Sequence, residues 1–162
     1  MIAKLSRMLS EKKISCVELT KVYLDAIEKE NKVLNAYITV TPQTALEAAK
    51  AVDARIAAGK SLRALEGIPM TLKDNLSTAG IETTCASKML KGYKPIYDAT
   101  VWKLLQEQNA VLLGKTNMDE FAMGSSCENS YFGGAVNPHN PSHVAGGSSG
   151  GVASAVGGNI AA

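Results

Sequence analysis

Three groups of residues in the 162-residue sequence have types and spacing that could do chemistry. Lys73 directly follows the short apolar run Ile68–Leu72. A lysine there is ordinarily a solvated surface charge. Burial would instead lower its pKa, and a neutral amine can take a proton as a general base. The second group is Gly146-Gly147-Ser148-Ser149-Gly150-Gly151, two serines bracketed by glycine pairs. Glycine permits backbone angles and close approaches closed to other residues. A flexible loop needs the same letters, but this one leads straight into an apolar stretch of small residues. The third runs from Lys115 to Ser126, KTNMDEFAMGSS, and starts where a strand should end. Such strand-end loops commonly line sites in α/β folds, and the alternative is an ordinary connection.

Several familiar motifs fail on inspection. Gly114-Lys115-Thr116 resembles the end of a phosphate-binding loop, but that motif needs a glycine where Asn109 stands. Gly146-Gly147-Ser148-Ser149-Gly150 fits the G-x-S-x-G pattern of a nucleophile elbow. That arrangement needs an acid and then a histidine downstream, and no His, Asp or Glu follows Ser148. His139 and His143 flank Pro141 with no carboxylate beside them, so they read as loop residues and no metal site is expected. Cys16, Cys85 and Cys127 form neither a disulfide framework nor a zinc spacing, and suit a reducing, cytoplasmic setting. The net charge of +2 is too weak to indicate nucleic-acid binding. No apolar run reaches the length of a signal peptide or membrane span, so no membrane partner is expected.

The elements that must position these residues can be read in outline. Ser15 with Glu18 is a capping-box pair, and Leu19, Val22, Tyr23, Ala26 and Ile27 follow at helical spacing. Ala36–Val40 reads as a strand. Thr41 and Pro42 suit an N-cap and first helical position, and Gly59 suits the stop of the helix that follows. Ile68–Leu72 and Ala110–Leu113 read as short buried strands, with a helix capped by Asp98 between them. Gly150–Ala162 reads as a small-residue helix packed on a sheet. Ten of the 14 glycines lie at or after position 114, so unusual backbone is expected late in the chain. Strands interleaved with helices predict an α/β layered fold.

Together, GIPMTLKDN (67–75), the 115–126 stretch and the GGSSGG loop resemble the amidase signature family of Ser–Ser–Lys amide hydrolases. The 75-residue separation of Lys73 and Ser148 also resembles that family's lysine-to-serine spacing. Within it, TTCASKML (83–90) and NMDEFAMGSS (117–126), followed by ENSYFG (128–133), are most similar to glutaminase subunits of tRNA-dependent amidotransferases.

The resemblance implies a mixed sheet flanked by helices, with residues 1–162 forming the N-terminal part of a single amidase domain. Residues 1–60 would be mostly helical, and residues 61–162 would hold core strands, active-site loops and helices. It further implies that Lys73 is the base and that Ser148 is a bridging serine in a cis peptide bond. Gly147 and Ser149 would support the catalytic loop, with Ser149 acting by hydrogen bonding. Met123, Gly124 and Ser125 would line the substrate pocket. The family's acyl-forming serine lies in a D-T-G-G-S-like segment that the resemblance places past Ala162, so no nucleophile is expected within these residues. The chain alone is expected to be inactive.

The reaction implied is release of ammonia from glutamine. The ammonia would pass to B- and C-type subunits, which meet tRNA and use ATP and Mg²⁺ to convert glutamate on tRNA(Gln) to glutamine. No cofactor is expected in this chain. The alternatives are an amidase-signature hydrolase of another amide, or a non-catalytic fragment. Val152–Asn159 departs from the family's alanine-rich helix, and its two glycines weaken a helix by about 1 kcal/mol each.

Overall fold

In the computed structural model, which describes residues 1–162, helices α1 (Ile2–Ser10), α2 (Cys16–Leu34) and α3 (Pro42–Ala57) alternate with strand β1 (Tyr37–Val40). Then follow β2 (Pro69–Lys73), α4 (Thr100–Glu107), β3 (Val111–Thr116) and α5 (Gly150–Gly157).

The start of α2 follows its sequence closely. The Ser15 hydroxyl accepts the Glu18 amide, and the Glu18 carboxylate accepts the Ser15 amide, so the predicted capping box is formed. Asp53 on α3 accepts the next two free amides, Cys16 at 2.7 Å and Val17 at 3.0 Å, which ties the two helices together. At the far end Asn35 adopts a left-handed conformation and turns the chain into β1. Gly59, at φ +71°, lies two residues past the end of α3.

The three strands form a mixed sheet in the order β1-β3-β2. β1 runs antiparallel to β3, and β2 runs parallel to it. Every residue of β3 is buried. Because side chains alternate along a strand, Val111 and Leu113 join Ile68 and the α2–α3 layer in the main core, which also takes Ala155 and Ile160. Leu112 points the other way and packs with Leu72 and Trp102 of α4. The α/β layered architecture expected from the sequence is therefore present.

Several local expectations are corrected. Lys73 is the last residue of β2 rather than the residue after it. β3 continues through Gly114, Lys115 and Thr116, so the site-lining loop begins only at Asn117. Asp98 does not cap α4, because its carboxylate accepts the Ala79 amide and Ala99 takes the N-cap position. Thr41 sits at the N-cap of α3, but its hydroxyl donates to Leu112 O across the sheet. α5 stops at Gly157, after which the chain turns and Ala162 N donates to Pro69 O on the outer edge of β2.

Candidate active site

Two elements distant in sequence bring a lysine and a serine together. The pairing of Lys73 with Thr116 across β2 and β3 fixes the end of β2. From there Lys73 Nζ donates to Ser148 Oγ at 2.6 Å. Both residues are half-buried. Ser148 lies in the loop entering α5, its peptide bond with Gly147 is cis, and its carbonyl accepts the Asp119 amide at 3.2 Å.

Gly147, Gly150 and Gly151, around Ser148, are required by space. A β-carbon at Gly147 would overlap Asp119 Oδ2 and stand 2.6 Å from the Ser125–Ser126 peptide. At Gly151 it would overlap the Asn117 backbone and lie 2.6 Å from Ala36 O. The absent side chain lets the first turn of α5 rest on the end of β3, where Gly151 N donates to Asn117 O. The small residues after Ser148 thus serve close docking, which sets where the serine sits.

Asn117 knits the loops behind the pair. Its side chain donates to Asn35 O and Gly133 O and accepts from Ser130 Oγ at 2.6 Å. Met123, Gly124 and Ser125 are exposed, with the Ser125 backbone running beside Gly147. Ser149 is exposed and its hydroxyl has no partner within the chain; its carbonyl instead accepts the Ala153 amide in the first turn of α5. Ser149 stands at the N-cap of α5, and the hydrogen bond it makes there is through its backbone. A cavity of 640 Å³ lies away from the pair, between Leu24, Glu28 and Val40, and no serine, threonine or cysteine lines it.

A buried ion pair underlies the lysine-bearing strand. Lys115 is fully buried in β3, 3.4 Å from Asp74 Oδ1, and also donates to Leu76 O and Thr83 Oγ1 at 2.8 Å each. Asp74 Oδ2 accepts from both the amide and the hydroxyl of Thr84. Burial pushes the Asp74 carboxyl up, against the pull of Thr84 and Lys115. Burial also pushes the Lys115 ammonium down, against the pull of Asp74. Neighbouring Cys85 is raised as well, by burial first and by the Asp74 charge second. The pair joins the turn after Lys73 to the middle strand. Its members, with Asn117 and Asp119, are the site-supporting residues that sequence reading passed over, although all four lie in motifs it singled out.

A lysine amine 2.6 Å from a serine hydroxyl, on a loop with no room for a side chain at Gly147 or Gly151, is an arrangement with which a serine–lysine hydrolase can pass a proton. The class is confirmed by comparison: residues 18–162 match the amidase family model, and the chain belongs to the amidase signature family. Among individual proteins, it is 52% identical over 155 residues to the A-type subunit of glutamyl-tRNA(Gln) amidotransferase from Thermosynechococcus vestitus, covering 96% of this chain and 32% of that protein. It is 54% identical, with the same coverage, to the corresponding subunit from Dehalococcoides mccartyi. The chain thus spans about a third of the length of the curated relatives it matches. Its fold superimposes on the peptide amidase of Stenotrophomonas maltophilia with a TM-score of 0.89 at 32% identity, covering 99% of this chain and 34% of that one. A bacterial aryl acylamidase gives 0.93 at 30% identity, again covering 99% and 34%.

Proposed function

We propose that this chain supplies the lysine and bridging serine of a glutaminase serving tRNA-dependent amidotransfer. The observation that carries the reading is the 2.6 Å Lys73–Ser148 contact in a chain about half identical to A-type amidotransferase subunits. In this proposal the Lys73 amine accepts the proton of Ser148, which takes one from a nucleophilic serine carried by sequence beyond residue 162. That serine attacks the glutamine amide. The proton then returns through Ser148 to the departing nitrogen, which leaves as ammonia. Water hydrolyses the acyl ester and releases glutamate. Gly147 and Ser149 hold the loop, and Met123, Gly124 and Ser125 face the substrate. Ammonia would pass to B- and C-type partner subunits, where ATP and Mg²⁺ support amidation of glutamate on tRNA(Gln). The setting would be cytoplasmic.

The test is ammonia release from glutamine, by the 162-residue chain and by an amidase polypeptide that includes it. The chain alone is expected to release none. In the longer polypeptide Lys73→Met and Ser148→Ala should each lower turnover by about 10²–10⁴-fold, the range of a general acid–base contribution. Ammonia release by the chain alone, abolished by Ser148→Ala, would refute this reading and make Ser148 the nucleophile. Turnover of other small amides but not glutamine would move the protein to another amidase activity.

A further inference from the structure

We propose that Asp119 is a positioning residue that sets Ser148 against the substrate-side loop. The inference rests on the amide-hydrolase reading above. Asp119 is 1% exposed and lies between two loops. Its Oδ1 accepts the Cys127 amide at 3.0 Å, and its own amide donates to Ser148 O at 3.2 Å. Oδ2 is buried and has no donor. An unpaired buried carboxylate oxygen is costly, so it calls for a reason at this position.

The reason lies in the space around it. A β-carbon at Gly147 would overlap Oδ2, and one at Gly124 would overlap the carboxylate of the same side chain. The Asp119 side chain fills the gap between the loop carrying Met123, Gly124 and Ser125 and the loop carrying Ser148. One side chain therefore sets the distance from the substrate-side loop to the lysine–serine pair. Its volume and the Oδ1 acceptor do the positioning, which makes asparagine the conservative replacement.

The test uses the full amidase polypeptide that carries these residues, with kcat and KM measured on glutamine and a panel of small amides. Asp119→Ala is expected to lower kcat on the order of 100-fold, the effect of a roughly 1 Å misplacement at a reacting centre. Asp119→Asn should stay within about fivefold of wild type, because it keeps both shape and acceptor. Gly124→Ala, which displaces the same carboxylate, should also lower kcat, and adding it to Asp119→Ala should cost nothing further. Asp53→Ala, at the start of α2, serves as the stability control, with a lower melting temperature and unchanged kcat. A folded Asp119→Ala enzyme with kcat within threefold of wild type would overturn the proposal, as would additive losses in the double variant. If Asp119→Ala does not fold, Gly124→Ala decides by the same kcat criterion. Turnover of another amide but not glutamine would sink the proposed substrate while leaving Asp119 testable on that amide. If no amide is turned over, the Ser148 amide resonance decides: no shift in Gly124→Ala protein overturns the proposal, and a shift there with none in Asp119→Asn protein supports it.

Discussion

Replacing Lys115 by methionine should be among the most damaging single changes in the chain, and the damage should depend on pH. At 3.4 Å the attraction between Lys115 and Asp74 is about 5 kcal/mol for an effective dielectric near 20, and desolvation of both groups offsets much of it. The net worth of the pair is therefore small, but removing one partner leaves a buried charge alone. That costs about 3–5 kcal/mol, a large share of a stability of about 5–15 kcal/mol. Methionine fills most of the lysine volume, so little of the cost is a cavity.

The sign of the pH effect follows from Asp74. Its folded pKa is already raised by burial, and losing Lys115 raises it further. A carboxyl with a raised folded pKa is least costly when protonated. Its penalty grows as pH climbs from the unfolded value of about 3.9 through the folded one. Urea unfolding followed by Trp102, the only tryptophan, reads this directly. With a slope of about 2 kcal/mol/M, the midpoint should fall by about 2 M at pH about 7.5. The difference from wild type should shrink by at least about 1 kcal/mol at pH about 5. The Asp74→Asn/Lys115→Met double variant should recover part of the loss, since no charge is then buried unpaired. A Lys115→Met cost below about 1 kcal/mol at neutral pH, or one equal at both pH values, would refute the reasoning.

Glu66 offers the opposite sign. Burial pushes its carboxyl up, but the Arg63 amide, Arg55 and Asn109 outweigh burial and leave it below the ordinary value. Its contribution should be present above the unfolded pKa of about 4.3 and be lost as pH falls through the folded one. Glu66→Gln should therefore flatten the acid limb of a circular-dichroism pH titration. Thiol labelling at mildly alkaline pH should be slow throughout: Cys16 is buried and pushed up to about 12, and Cys127 is also buried and raised. Only half-buried Cys85 should react before unfolding, so rapid labelling of two thiols would count against this packing. Gly151→Ala should cost about 1–3 kcal/mol by forcing α5 off β3, measurable as a lower melting temperature.

The parts of the fold legible in the sequence were those set by neighbours within a turn or two. The capping box at Ser15 and Glu18, the apolar face of α2 through Leu19, Tyr23 and Ile27 and the glycine after α3 all depend on short-range chemistry, whereas Val22, expected on that face, is 59% exposed because it lies off the side turned to the core. The Lys73–Ser148 pairing was read from family resemblance, because 75 residues separate its members. Lys115 reads as a loop residue because Gly114 and a lysine after Ala110–Leu113 look like a strand end. It lies instead in the buried middle strand, and its charge partner is Asp74, from a different strand's turn. Asp98 was read as a cap for the same local reason, yet its carboxylate is used by Ala79. Asp119 was one letter in a recognised run, and nothing in its neighbours marks it as buried while Glu120 beside it is not.

The order β1-β3-β2 has a bearing on synthesis. The middle strand is the last of the three to be made, so neither Tyr37–Val40 nor Pro69–Lys73 has a pairing partner until Thr116 has emerged. At about 5–20 residues per second, β1 waits about 4–15 s. During that interval Ile68 has neither Val111 nor Leu113 to cover it, and the α2–α3 hairpin must stand without the sheet it packs on. A ribosome paused before codon 111 would therefore present two lone strand edges, which are substrates for chaperones and proteases, whereas one paused beyond codon 116 would present a paired sheet.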